Sequence, residues 1–163
     1  MAEDKFKTSL ESGNHHKLSQ LAGDWEGTAY VWFEPEKIGD ESPVEGTIKP
    51  ILGGRFMLLE YIGAFMGKPT GGMMWIGFSI AEEKYQCAWI DTGHMGTGIM
   101  LSEGANGPDF NVLGSYGYAG MADRWGWRTT VELKDANTLI ITAYNISPQG
   151  EEQKAVETVY TRK

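Results

Sequence analysis

The stretch RWGWRTTVELKDANTLIITAYNISPQGEEQKAVETVYTR, residues 124–162, decides the fold. Three runs rich in Trp, Thr, Val, Ile and Tyr (124–134, 138–147 and 153–162) are separated by Asp135-Ala136-Asn137 and Pro148-Gln149-Gly150. β-Branched and aromatic side chains suit a pleated, half-buried surface, while Asn, Pro and Gly supply the backbone angles of a reversal. The stretch therefore predicts three strands that pair antiparallel with their sequence neighbours.

The same pattern runs back to Asp24. It predicts further strands at 24–33, 44–51, 55–65, 72–80, 84–91, 97–104 and 109–117, ten in all. Gly53-Gly54, Gly67-Lys68-Pro69 and Asn106-Gly107-Pro108 mark the turns. Ten sequential strands leave two unpaired edges unless the sheet closes. The predicted fold is all-β: a ten-stranded antiparallel up-and-down β-barrel around one internal cavity. A two-sheet sandwich is the alternative. Ahead of the barrel, residues 15–22 read as one short helix, with Asn14 as N-cap, Gly23 as the stop, and Leu18 and Leu21 on one face. Residues 1–13 are polar and read as flexible, and the 163 residues read as one domain.

Composition bounds the partners. The chain carries 22 acidic against 14 basic residues, a net charge of −8. It lacks the basic stripe that nucleic acid or an anionic membrane would require. No apolar run approaches the ~20 residues of a bilayer span. The first residues lack the basic and apolar regions of a secretory signal, so the expected location is cytoplasmic. A single cysteine, Cys87, excludes an intramolecular disulfide and a multi-cysteine zinc site.

Two strands are apolar on both faces. Met73, Trp75 and Gly77 alternate with Met74, Ile76 and Phe78, and Met57, Leu59 and Tyr61 lie beside Phe56, Leu58 and Ile62. A barrel wall needs one apolar face only. The N-terminal helix or a second copy of the chain would have to cover the other, so a homodimer is expected.

Leu21-Ala22-Gly23-Asp24-Trp25-Glu26-Gly27 resembles the Gly-x-Trp opening of lipocalin-like, or calycin, barrels. The resemblance implies that Trp25 closes the barrel floor and that Arg162, at the end of the last strand, packs across its ring. Ile51-Leu52-Gly53-Gly54-Arg55-Phe56, Trp89-Ile90-Asp91, Met95-Gly96-Thr97-Gly98 and Tyr160-Thr161-Arg162-Lys163 extend the likeness. Together they resemble an uncharacterised bacterial family catalogued as domain of unknown function 1579. That likeness implies a lipocalin-like barrel and no particular ligand. The connection after the first strand, residues 34–43, is too short for the helical lid of fatty-acid-binding barrels, which places the chain nearer the lidless, nitrobindin-like group.

Six residues stand out as candidate ligand contacts: Glu60, Trp75, Trp89, Asp91, His94 and Arg128. His94 lies in the glycine-rich segment 91–98, where Asp91 would hold one ring nitrogen and leave the other for a substrate or an iron. The same segment also reads as an exposed hairpin loop. Glu60 and Arg128 interrupt apolar strands and would anchor a polar head group if they point inward, or serve as surface charges if they point outward. Strand parity is open, because a slip of one residue reverses every side chain. The His15-His16 doublet is poorly spaced for one metal. Cys87, beside Tyr85 and Trp89, reads as an inert buried thiol.

These residues support three expectations. The first is a binding barrel for a small apolar or amphipathic molecule, with no cofactor. The second is a nitrobindin-like haem protein with His94 as axial ligand. The third is a cofactor-free enzyme using His94 and Asp91 as an acid–base pair at the barrel mouth.

Overall fold

The structure, a computed structural model, describes residues 1–163. Ten strands follow two helices: α1 (Ala2–Ser12), α2 (Asn14–Ser19), β1 (Gly23–Glu34), β2 (Lys37–Ile51), β3 (Phe56–Phe65), β4 (Lys68–Ser79), β5 (Lys84–Asp91), β6 (Met100–Ala105), β7 (Phe110–Tyr116), β8 (Trp125–Asp135), β9 (Thr138–Ile146) and β10 (Glu152–Arg162). Each strand pairs antiparallel with its sequence neighbours, and β1 pairs with β10 to close the barrel. The up-and-down barrel replaces the sandwich alternative.

Two hairpins are tighter than the sequence suggested. β2 begins at Lys37 rather than 44, because Pro35-Glu36 makes a two-residue turn with Glu36 at φ 61°. Proline presets the first turn angle, but the left-handed position holds a glutamate where glycine is the usual sign. Gly39 then leaves room for the Phe33 ring, which lies where a Cβ would stand. β4 begins at Lys68 rather than 72. Met66 and Gly67 form the turn, both at positive φ, and Pro69 belongs to the strand. β6 starts at Met100, which lengthens the loop before it to residues 92–99.

Residues 2–12, read above as part of a polar flexible tail, form α1. Phe6 is buried from it, under the Arg55 guanidinium at 4.3 Å. The helices close one end of the barrel and do not lie on its outer wall. His15 packs edge-on against Phe6 and Phe78 and shares a 2.8 Å hydrogen bond with Ser9 Oγ. The Tyr85 hydroxyl donates to Asn14 Oδ1 at 2.9 Å.

That end is the floor. Trp25 is fully buried, and its indole N–H donates to the Leu21 carbonyl at 3.0 Å. Arg162 lies 4.2 Å over the Trp25 ring, as the calycin resemblance implies. Its guanidinium also donates to the carbonyls of Gln20, Ala22 and Ala136. The lower interior is filled by Ile48, Met57, Ile76, Tyr85 and Leu139. Cys87 is buried with them, and desolvation pushes its thiol up to about 12. At neutral pH it is a protonated, unreactive group.

Candidate functional site

The upper half of the barrel is not filled. A cavity of about 400 Å³ opens toward the end opposite the helices, and 17 of its 25 lining residues are hydrophobic. The alternation of the strands produces it. Leu59 and Tyr61 point inward from β3, Met74 from β4, Trp89 from β5, Trp127 from β8 and Tyr160 from β10.

Trp89 and Trp127 stack at one side, with ring centroids 5.6 Å apart and planes 13° from parallel. His94 descends from the 92–99 loop onto this pair, 4.3 Å from Trp127, with Tyr116 edge-on at 4.7 Å. The Tyr116 hydroxyl donates to Asn145 Oδ1 at 2.6 Å. Beneath them the Trp89 indole N–H donates to the Tyr61 hydroxyl at 2.9 Å. Gly72 makes this bond possible, because the Tyr61 hydroxyl fills the place its Cβ would take.

Asp91 does not hold the His94 ring. Its Oδ2 accepts the backbone N–H groups of Gly93 (3.2 Å) and His94 (2.8 Å), and its Oδ1 accepts that of Met95 (2.6 Å). The carboxylate builds the loop, and the loop aims the imidazole. The expected Asp–His pair is corrected accordingly. Packing against the aromatic rings lowers the His94 pKa by desolvation, which the nearby Asp91 charge partly offsets.

Of the six candidates, Trp89, Asp91 and His94 meet at the cavity. Glu60, Trp75 and Arg128 lie on the outer face and do not line it. Glu60 pairs with Lys49 at 2.9 Å. Arg128 grips Glu152 through two bonds of 2.6 and 2.8 Å and lies over the Tyr144 ring. Trp75 is 58% exposed. A charge facing water costs little, so the outward face is the physically expected one for both ions. Tyr61, Trp127, Asn145 and Tyr160 were not among the candidates, although they line the cavity. The signal for Trp127 was present: Trp127, Thr129 and Val131 alternate with Arg128, and the uncharged set of such a pair belongs inside.

A larger concavity of about 670 Å³ lies on the outer surface between β1–β5 and the C-terminus. It is open to solvent, and eleven of its fifteen lining residues are polar, charged or glycine. Its charged groups are already engaged: Lys163 with Glu45 at 2.9 Å, and Asp24 with the Thr47 hydroxyl at 3.0 Å. No group of three or more His, Cys, Asp or Glu side chains is arranged to hold a metal ion. No helix is long and apolar enough to cross a membrane.

His15 shares the direction of the His94 shift: burial lowers its pKa. Both histidines therefore take up protons less readily in the folded chain than in the unfolded one, where the value is about 6.5. Their contribution to stability is complete above that value and falls away as pH drops below it toward the lowered folded pKa values. Thermal midpoints should fall between pH about 7.5 and about 5.5. His15→Gln should flatten the slope, and an unchanged slope would remove His15 from the account.

Comparison with known proteins agrees with the geometry. The family described as "Protein of unknown function (DUF1579)" matches residues 11–162. No curated protein matches the chain in sequence. The S-type phycobiliprotein lyase CPES from Guillardia theta is similar in structure, with a TM-score of 0.58 and 9% identity over 96% of both chains. A de novo designed fluorescence-activating β-barrel aligns with a TM-score of 0.47 and 13% identity, over 89% of this chain and 96% of its own. Matched from α1 to the last strand, this closed ten-stranded barrel belongs to the DUF1579 family.

Proposed function

We propose that the barrel binds a small apolar or amphipathic molecule in its upper cavity. The single observation that carries this reading is the unfilled apolar space of about 400 Å³ beneath the His94 loop. Ligand sites are concave, mostly apolar chambers of roughly 300–1,000 Å³ with a few fixed polar groups, and this cavity meets each condition. An interior built only for stability would be packed, as the lower half is. Trp89, Asp91 and His94 are the candidate contacts retained from the sequence, with Asp91 acting through the loop. Native mass spectrometry of freshly purified protein, with an absorption spectrum, tests the reading. A copurified small molecule, or saturable binding of the neutral dye N-phenyl-1-naphthylamine, is the expected result. A chain that carries no molecule and does not bind the dye would defeat it.

The residues do not fit haem. His94 is exposed at the mouth, and its ring faces lie against Trp127, Trp89 and the edge of Tyr116. No Lys or Arg lines the cavity to meet the two propionates, and its carboxylate, Asp91, would repel them.

We also propose that the outer face of β3–β6 joins a second copy of the chain. Leu58, Trp75, Ala88 and Leu101 form one row across four strands in register. Leu101 is 71% exposed, and Ile62, Met73 and Ile90 continue the patch. A contiguous exposed apolar row of this kind is what a partner surface covers. Its flanks carry ions of both signs, Lys49 with Glu60 and Lys84 with Glu103, so a two-fold copy meets no block of like charge. Light scattering should report a dimer, and Trp75→Glu should give a monomer with an unchanged far-ultraviolet circular dichroism spectrum and a lower, concentration-independent melting temperature. A monomeric parent chain at working concentration would sink the proposal.

A further inference from the structure

Two phenols in the cavity have a proton to give and no acceptor within the chain. Tyr160 is 2% exposed and makes no hydrogen bond within the protein. Yet no side-chain oxygen or nitrogen is sealed away without a partner. The Tyr160 hydroxyl therefore keeps its accessible surface on the cavity side, where the residue forms part of the wall. Tyr61 accepts the Trp89 indole N–H, which uses a lone pair and leaves its own proton free. Desolvation raises both phenol pKa values, so both remain protonated donors.

The two border the same gap. Gly46 is the cross-strand partner of Tyr61, and a Cβ on Gly46 would come 3.5 Å from the Tyr160 hydroxyl. The missing side chain lets Leu59 and the Tyr160 hydroxyl approach the β2 backbone beside Tyr61. Asn145 adds a further donor, since its oxygen is taken by Tyr116 and its amide nitrogen is not engaged.

Formal charge points the same way. Asp91 is the cavity's carboxylate, and no cation balances a bound anion. The nearby cations are committed elsewhere: Lys154 to Glu157 at 2.6 Å, and Arg162 to the floor carbonyls. An anion entering this space would lose its hydration with no opposite charge to compensate, a cost of several kcal/mol per ion in general. A neutral acceptor loses far less and gains the waiting donors.

We propose that the cavity selects an uncharged apolar molecule bearing a carbonyl oxygen, which accepts the hydroxyl protons of Tyr61 and Tyr160. The inference rests on the ligand-binding reading and narrows it to a chemical class.

Three probes of one skeleton test it: 2-acetylnaphthalene, 2-ethylnaphthalene and 2-naphthoate, each displacing N-phenyl-1-naphthylamine from the full chain. The ketone should bind about 3- to 10-fold tighter than the hydrocarbon, the ordinary yield of a net hydrogen bond. The carboxylate should bind at least about tenfold weaker than the ketone. Tyr160→Phe removes no contact within the protein, so its melting temperature should hold. It should reduce the ketone-to-hydrocarbon ratio while leaving hydrocarbon affinity unchanged, and Tyr61→Phe should reduce the ratio further. A ketone no better than the hydrocarbon, a carboxylate equal to the ketone, or a ratio unmoved by both variants would overturn the carbonyl assignment and leave the cavity reading standing. If the dye itself does not bind, both readings fall together.

Discussion

Replacing Trp25 by alanine should cost about 3–5 kcal/mol of unfolding free energy, the usual range for deleting a buried aromatic side chain. Domains are stable by only about 5–15 kcal/mol, so the variant should sit near the edge of folding. The effect is large because three elements meet on one ring. The indole fills the floor with no solvent exposure. Its N–H holds the Leu21 carbonyl, at the end of the helical segment that precedes β1. Its face supports Arg162, which in turn ties the Gln20, Ala22 and Ala136 carbonyls. Alanine leaves a void, a carbonyl without its donor and a guanidinium without its platform. Trp25→Phe keeps an aromatic face and loses the N–H, so it should cost less, about 1–3 kcal/mol. Urea unfolding followed by far-ultraviolet circular dichroism checks both. A Trp25→Ala loss below about 1 kcal/mol would show that the floor does not depend on this ring.

The strands were legible because their cause is local. In β8, β9 and β10, β-branched runs alternate with turn residues, and the observed bounds differ from the expected ones by a residue or so. The hairpins at Pro35-Glu36 and Met66-Gly67 were misplaced because Glu36 and Met66 occupy left-handed positions without glycine's signature. Closure supplies the pairing energy that tolerates them. Helix α1 was missed for a different reason. Its apolar content is thin, and Phe6 becomes a core residue only when Arg55 and His15 are brought beside it from elsewhere.

The site was half legible. Trp89 and His94 could be singled out by type, but their meeting with Trp127, Tyr116 and Tyr61 joins strands far apart in sequence. Parity was the missing quantity. Glu60 and Arg128 drew attention as charges in apolar strands, and their neighbours Leu59, Tyr61, Trp127 and Thr129 are the ones that face the cavity. In a closed barrel a charge inside an apolar strand marks the outward set, provided a counter-ion lies within reach on the same outer face, one or two strands away. Lys49 on β2 and Glu152 on β10 supply those counter-ions.

Filling the cavity should separate binding from folding. Ala29 faces the open space from β1, above Gly27, whose absent Cβ lets the Val159 carbonyl approach. Ala29→Phe places a ring where the ligand's apolar body would lie. It adds no polar group and removes no hydrogen bond, and each buried methylene is worth about 0.8 kcal/mol. The melting temperature should therefore hold or rise. The affinity for N-phenyl-1-naphthylamine should fall by at least about tenfold, a free-energy change of about 1.4 kcal/mol. The outer apolar face is a built-in control, because it too would attract a hydrophobic dye. Trp75→Glu removes its largest side chain and should leave dye affinity unchanged. If Ala29→Phe binds normally and Trp75→Glu does not, the dye has been reading the outer wall. The unfilled interior would then be a packing defect tolerated by the barrel, and its two free phenols would have no ligand to meet.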